Sequence, residues 1–463
     1  MKNFSYTFAA NLFQLIISSM VVLVIPRYFG VKDYSFWQLY LLYFSYVGML
    51  QIGWCDGVYL RHGGKHYHEL NKNLISSQVG YVTFFYILIS SFLLLISNVY
   101  FYKSVDIDIL IVTLISGFLT TPRGLLFYVL QGTNQIIGYV KMMMLEKIIF
   151  IIALIASFIL GFRSFEYIIL SDLIGKLVSL IGTLYICRDV VFIKYTTIKE
   201  SILEAYNNIN VGIKLMFANI ASSLIIGIVR LSVERNWGLE VFGKVSLTLS
   251  ISNLFMVFIN SVGIVMFPIL RRISTEKLEL LYGSIRNVLM VPLLFLLIFY
   301  YPMKIILSLW LPQYAESLEY MALLFPMIIF ESKTALLINT YLKTLRQEKK
   351  MLFINILTVA MSGFITFLTV YVYNDLTLVI GSIVFLLAFR SIVAEFVISR
   401  IIKVNVVGNI FFECILVSTF MFSSWIVKGV PGILLYLIVY CFYLFIKKDE
   451  IKHSLEVLRK LTK

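Results

Sequence analysis

The stretch "NLFQLIISSMVVLVIPRYFGVKDY" (residues 11–34) has a counterpart 208 positions further on, "NIASSLIIGIVRLSVERNWGLEVF" (219–242). At that one offset Asn11 falls on Asn219, Arg27 on Arg235, Gly30 on Gly238 and Tyr34 on Phe242. Apolar positions match easily by chance, but polar residues and glycines in one register do not. In each copy an apolar run ends in an aromatic-glycine pair, after which the next run begins. Self-similarity at a long period marks an architecture built twice. Six apolar runs separate the copies, so both start on the same side of a membrane; such parallel repeats are related by an axis along the membrane normal. The expected fold is an all-α polytopic membrane protein of about fourteen transmembrane helices. Two six-helix lobes would be related by a pseudo-two-fold axis along the membrane normal and enclose a central cavity, with two extra C-terminal helices.

Composition supports the membrane reading. The 463 residues are 60% hydrophobic and 14% charged, with mean hydropathy +0.91, whereas a soluble domain carries roughly a quarter charged residues. Apolar runs of the length a bilayer-spanning helix needs lie at about 8–26, 35–56, 75–101, 107–131, 143–162 and 166–187. They continue at about 211–232, 241–268, 285–306, 318–342, 351–373, 376–400, 408–427 and 430–446. No small-residue cleavage motif follows the first run before Pro26-Arg27, so it is expected to remain as a span. Cys55, Cys187, Cys414 and Cys441 are scattered at or within apolar runs and read as small hydrophobes, not as a disulfide framework. The net charge of +14 fits basic loops beside anionic lipid better than nucleic acid.

Loop charge orients the chain. With both termini cytoplasmic, 23 basic residues of loops and tail lie inside, and only Arg27, Lys32, Lys103, Arg163, Arg235 and Lys428 lie outside. That contrast is what the positive-inside rule requires, and one miscounted span would spoil it. The predicted organisation is an N-terminal lobe (1–187), a cytoplasmic amphipathic linker (188–210), a C-terminal lobe (211–403), two further transmembrane helices (404–446) and a basic tail (447–463). Within the linker, "TTIKESILEAYNNIN" (196–210) has capping-box spacing at Thr197 and Glu200, with an apolar stripe at Ile198, Ile202, Tyr206 and Ile209. It is expected to lie on the membrane surface as a hinge.

Four segments carry a family resemblance: "IPRYFGVKDYSFWQLYLLYFSYVGMLQIGWCDGVYLRHGGK" (25–65), "MFANIASSLIIGIVRLSVERNWGLEVFGKVSL" (216–247), "FPILRR" (267–272) and "FESKTALLINTYLKTLRQEK" (330–349). They resemble the polysaccharide-unit flippases, the O-antigen and capsule repeat-unit translocases of the multidrug/oligosaccharidyl-lipid/polysaccharide exporter superfamily. The likeness runs to about residue 400. It implies a two-lobed transporter that carries an undecaprenyl-diphosphate-linked oligosaccharide across the bacterial inner (cytoplasmic) membrane by alternating access, alongside polysaccharide polymerase and chain-length proteins.

Ionisable groups inside a span are costly and usually face a cavity or one another. Ten bases fall within or at the edges of spans: Arg123, Lys147, Lys176, Lys214, Arg230, Lys244, Arg286, Lys304, Lys333 and Arg390. The acids are fewer, chiefly Glu146, Asp172, Glu331, Glu395 and Glu413. An excess of buried cations suits an anionic substrate, and arginine binds diphosphate bidentately. The candidate substrate-binding residues are therefore Arg123, Lys176, Lys214, Arg286, Lys333 and Arg390, with Asp56 and Arg61 at the cytoplasmic entrance. Bland readings compete. Asp172 and Lys176 are spaced i,i+4 and can neutralise each other; Arg230, Lys244 and Lys304 read as snorkelling side chains; Lys214 and Arg286 start their spans and read equally as boundaries. Arg390 and Glu395 lie about 140° apart on a helix, which disfavours a direct pair. Pro122, beside Arg123, is expected to break its helix. For a coupling proton or sodium ion, Glu331 comes first, being near mid-span with no base at i±3 or i±4, followed by Asp172 and Glu395.

The polar stretch "IGWCDGVYLRHGGK" (52–65) reads mainly as the solvated end of the second span, with a local Asp56–Arg61 pair. His62, His66, His68 and Glu69 do not make a persuasive metal site, because Gly63-Gly64 interrupts them and no cysteine joins them. No metal, cofactor or catalytic residue is expected, and no GxxxxGK[ST] phosphate loop is present for ATP hydrolysis. Two other functions compete. A multidrug or cation exporter of the same fold would favour acids over bases in its cavity; a membrane glycan polymerase or acyltransferase would need a large outer loop or a His/acid cluster.

Overall fold

Lipid offers no hydrogen bonds to backbone amides, so a spanning chain must satisfy them within each helix; among the described residues every regular element is accordingly helical. The computed structural model describes residues 2–100, 105–271 and 275–461. Lys103, Arg272 and Lys463, used above in the loop-charge argument, lie outside the described residues.

The chain divides into two units, Met1–Ser223 and Leu224–Lys463. The first holds α1 (Lys2–Tyr28), α2 (Val31–Phe44), α3 (Trp54–His62), α4 (Lys72–Tyr100), α5 (Val105–Gly132), α6 (Ile136–Ile159), α7 (Phe165–Ile186), the single turn α8 (Arg188–Val191) and the start of α9 (Ile198–Trp237). The second takes the rest of α9 and then α10 (Leu239–Arg271), α11 (Thr275–Leu296), α12 (Tyr300–Trp310), α13 (Met321–Leu324), α14 (Met327–Lys333), α15 (Asn339–Thr344), α16 (Glu348–Phe367), α17 (Leu376–Ile402), α18 (Val407–Phe422) and α19 (Gly429–Leu461). Eleven helices among the described residues are long and apolar enough to cross a membrane. The other three expected passages are α1, whose apolar part is Leu15–Tyr28, the α2–α3 pair, and α10.

The repeat reappears as geometry. Helix α1 ends at Tyr28 and α2 begins at Val31; α9 ends at Trp237 and α10 begins at Leu239, so Gly30 and Gly238 both sit at a helix-to-helix junction. Gly238 takes φ 85°, where a side chain would be strained. Tyr34 and Phe242, one turn past those junctions, are each 1% exposed. The Asn11–Asn219 match falls on Asn11, whose side chain is outside the described residues.

Each unit has its own apolar core. In the first, Trp54, Val58, Ile75, Val82, Leu125 and Val129 bring α3, α4 and α5 together. In the second, Tyr282, Leu337, Tyr341, Ala394, Ile398 and Ile410 join α11, α15, α17 and α18.

Three local expectations change. The second passage is not one helix: α2 ends at Phe44, a 3-10 turn covers Val47–Gln51, and Ile52 (φ 46°) and Gly53 (φ 76°) are left-handed before α3 starts. Gly53 takes that conformation freely, whereas a β-branched residue there is strained by about 1–3 kcal/mol. Pro122 does not break α5, which runs unbroken from Val105 to Gly132; a proline is tolerated within a membrane helix when neighbours re-satisfy the freed backbone. The expected separate linker helix is the first part of α9, continuous through Gly212 into the seventh passage. Its Ile198, Ile202 and Tyr206 are exposed, as on an apolar stripe, while Ser201, Ala205 and Asn208 are buried on the other side.

Candidate functional site

In the first unit, the junction of α3, α4 and α9 is built on small residues. Gly53 and Gly57 face α9, and Gly212 faces back. A Cβ at Gly57 would overlap the Asn208 carbonyl, and one at Gly212 would overlap the carbonyl oxygen of Gly53, so only glycine permits this approach. The close packing delivers polar side chains to one another. Trp54 Nε1 donates to Gln78 Oε1 at 2.8 Å, Gln78 Nε2 donates to the Ser201 carbonyl at 2.9 Å, and Arg61 donates to Asn208 Oδ1 at 2.6 Å. Arg61 also holds Glu204 in a bidentate pair at 2.6 and 3.0 Å. Solvation therefore does not account for Arg61, and the Asp56–Arg61 pair is not formed. Five residues place the two side chains about 140° apart on α3.

Asp56 instead lines a cavity of about 180 Å³ at the break in the second passage, beside Gln51 of the 3-10 turn, Tyr128 of α5 and Asn219 of α9. Tyr128 Oη is 3.5 Å from its carboxylate. Irregular backbone at membrane depth is tolerated where it lines such a cavity.

A second polar group lies between α2, α5 and α7. Lys176 Nζ donates to Asp172, to Tyr40 Oη at 2.8 Å and to Ser116 Oγ at 2.7 Å, and Tyr40 Oη donates to Asp172 at 2.6 Å. Phe44 lies under the ammonium at 3.6 Å. The i,i+4 neutralisation read from the sequence is present, and two further helices contribute to it. Nearby, Arg123 pairs with Glu146 and stacks on Phe127, and Lys147 reaches the other oxygen of Glu146 at 3.1 Å.

The second unit contains a four-charge network. Arg286 pairs with Glu395 and with Glu413 at 3.0 Å; Lys333 donates to Glu395 at 2.8 Å and to both oxygens of Glu413 at 2.7 and 2.8 Å. All four side chains are at most 3% exposed. Tyr282 Oη adds a contact to Glu395 at 3.4 Å. Arg286 is thus buried rather than at a boundary. Lys333 immediately precedes a π-helical segment, Thr334–Ile338, whose wide turn reshapes this passage next to the network. A separate pair joins Arg390 to Glu331 at 2.6 Å. Glu331 lacks a base at i±3 or i±4 but has one across the fold. Arg390 and Glu395 do not pair with each other; each has its own partner. Lys214 is exposed.

One inference from the sequence is corrected by this geometry. The buried bases Arg123, Lys176, Arg286, Lys333 and Arg390 each lie on an acid, so the count of intramembrane bases does not amount to a cationic cavity. For all but Lys176, whose Asp172 lies on its own helix, acids on other helices, up to 127 positions distant in the case of Glu413 and Arg286, supply the balance. Gln51, Gln78, Glu204 and Asn208 were not singled out by the sequence, and Asn219 was noted only as the repeat match of Asn11. Their signal was the Gly53-x-x-x-Gly57 spacing and the recurrence of amides in otherwise apolar runs.

Outside the spans, Asp189 ties α8 to the start of α4, accepting from Lys72 Nζ at 2.6 Å and Tyr67 Oη at 2.9 Å. Burial opposes its charge, but those bonds outweigh it and hold the carboxyl below the usual carboxylate range. Burial pushes the Cys187 thiol up to about 11.

No protein-family model and no curated protein matches this sequence. Solved structures do. The chain is similar to an inward-facing multidrug-resistance transporter of the MATE family, in the MOP superfamily, with TM-score 0.60 and 14% identity over 89% of this chain and 95% of that one. It is similar to the lipid II flippase MurJ in an inward closed conformation, with TM-score 0.60 and 15% identity over 97% of this chain and 100% of that one. A MOP-superfamily transporter from Pyrococcus furiosus also matches, with TM-score 0.50 and 13% identity. This is an all-α, multi-pass membrane protein with the fold of those transporters.

Proposed function

We propose that the protein is a flippase that moves an undecaprenyl-diphosphate-linked oligosaccharide repeat unit from the cytoplasmic to the outer leaflet of the bacterial inner membrane, for surface polysaccharide synthesis. The observation that carries this reading is the extent of the match to the lipid II flippase, which takes in 97% of this chain and the whole of the other. The match to the MATE transporter takes in 89% of this chain. The C-terminal pair α18–α19 belongs to the body of the second unit, because Glu413 of α18 completes the network around Arg286 and Lys333. Both termini are assigned to the cytoplasm, and alternating access would be driven by an ion gradient or by consumption of the product.

A drug or cation exporter of the same fold is the second reading, favoured by the neutralisation of every buried base named above. One assay separates them. Purified protein in vesicles should move a fluorescent undecaprenyl-diphosphate-linked glycan between leaflets and leave lipophilic cationic dyes in place. Dye extrusion without glycan movement would reverse the assignment.

A further inference from the structure

We propose that His62 works as a proton-sensitive clamp on the contact between α3 and α9. It is the last residue of α3 and is 8% exposed. Neither ring nitrogen has a hydrogen-bond partner among the described residues. A neutral imidazole carries one donor and one acceptor, so the neutral ring leaves both unmet in a buried place, at a cost. Glu204 Oε1 of α9 stands 3.5 Å from Nε2, at the long limit of a hydrogen bond and within reach of a small side-chain movement. Proton uptake makes donors of both nitrogens and gives Nε2 a charge-assisted bond to that carboxylate. The cation also lies at the carboxyl end of α3, where the helix dipole favours positive charge.

Glu204 is the acid that answers to this histidine. Arg61 holds the same carboxylate, but its side chain is 28% exposed, so water screens its repulsion of a second cation. The end of α5 packs on Gly63 through Gly132 and brings Gln131 and Thr133, without charge. In the connection after α3, Lys65, His66, His68 and Glu69 are exposed, as are Lys199 and Glu200 one turn before Glu204. Lys72 of α4 is engaged with Asp189. The backbone beyond His62 is fixed, because Gly64 N donates to the Gly132 carbonyl at 2.9 Å. The glycine contact of Gly57 and Gly212 already brings the two helices together, so the added bond acts on the helix contact itself. The contact is tighter with the proton on and looser with it off. This behaviour rests on neither the transported substrate nor a driving ion.

The test reads the contact and needs no transport. Hydrogen exchange over 54–62 and 201–208 would be followed in the full-length protein in nanodiscs, corrected for the intrinsic pH dependence of exchange. The range is about pH 8 to about pH 6, where histidine changes charge and carboxylates stay ionised. Protection of both segments should rise about fivefold toward the acid end, within what a partly buried histidine at a helix C-terminus supplies. His62→Gln, which is neutral, should flatten the profile. Replacing the exposed, stacked His66 and His68 with glutamine should leave the rise intact. If His62→Gln is not recovered folded, Glu204→Asp, which withdraws the carboxylate by one methylene, should diminish the rise. The proposal is overturned if wild-type protection is flat or falls toward the acid end. It is equally overturned if the rise survives His62→Gln, is undiminished in Glu204→Asp, or disappears with the His66 and His68 substitutions.

Discussion

Lys333 is completely buried with all of its donors directed at Glu395 and Glu413, so its charge cannot be removed without stranding another. Breaking a buried ion network by deleting one member costs about 3–5 kcal/mol, whereas removing a matched pair costs much less. Lys333→Met and Glu413→Gln should each lower stability by about that amount in thermal or denaturant unfolding of the detergent-solubilised protein. The double variant, which keeps Arg286 with Glu395, should recover a large part of the loss; additive losses would show that the four charges do not act as a unit. The Arg390–Glu331 pair is different, because Glu331 keeps a side-chain exposure of 21%. On the proposed function, that exposure makes it the first acid to test for exchange of a coupling ion, while Asp172 and Glu395 are enclosed. In vesicles with an imposed proton or sodium gradient, Glu331→Gln should stall gradient-driven flipping, and Arg390→Ala should impair it to a similar degree. Arg390→Lys should restore only part of the rate, since an ammonium lacks the planar fork. Normal gradient dependence in Glu331→Gln would move the coupling site elsewhere.

The contact of α3 with α9 depends on three glycines, none of which has room for a side chain. Gly212→Ala forces a methyl into the Gly53 carbonyl and Gly57→Ala forces one into the Asn208 carbonyl. Each should destabilise by about 1–3 kcal/mol through overpacking and loosen the Arg61–Glu204 pair. Proteolysis or hydrogen exchange over 54–62 and 201–212 would register that loosening. A control such as Gly283→Ala, where no atom lies within 4 Å of the new Cβ, should be tolerated. The short turn α8 is held by a weaker device. Because the Asp189 carboxyl is held down in the folded protein, its contribution is present above the ordinary carboxylate pKa and lost as pH falls through the folded value. Lys72 and Asp189 are both partly exposed, with side-chain values of 35% and 43%, so the effect should be below about 1 kcal/mol and sensitive to salt. Asp189→Asn should flatten the acid side of the stability profile by that small amount, and an unchanged profile would remove the pair from the account.

The arrangement of the entire chain can be tested from both sides of the membrane. Impermeant thiol reagents applied to intact cells should leave single cysteines at 62–72, 195–208 and 344–349 unlabelled and should label those at 312–316. The segment 103–106, also expected outside, falls partly outside the described residues. Labelling of 195–208 from outside would invalidate the orientation. The last two helices give a second test. Truncation before Val407 removes Glu413 and the partners of α11, leaving Arg286 and Lys333 with Glu395 alone. The truncated chain should fail to accumulate in the membrane; a stable, active product would make α18–α19 an accessory.

What the sequence determined by itself is whatever depends on near neighbours along the chain. Apolar runs long enough to cross a bilayer become helices because each amide must find its partner within four residues. The register of the repeat placed Gly30 and Gly238 at equivalent junctions, and the four-residue spacing of Asp172 and Lys176 foretold their pair. Counting bases against acids failed because charge balance is a property of contacts. Glu146 neutralises Arg123, Glu331 meets Arg390, and Glu413 reaches Lys333 from 80 positions away. The left-handed pair Ile52-Gly53 escaped notice too, since a run of apolar residues carries no mark of where its helix breaks. Only packing decided these features, because the closeness of α3 to α9, and of α18 to α11 and α14, sets which side chains are withdrawn from water together.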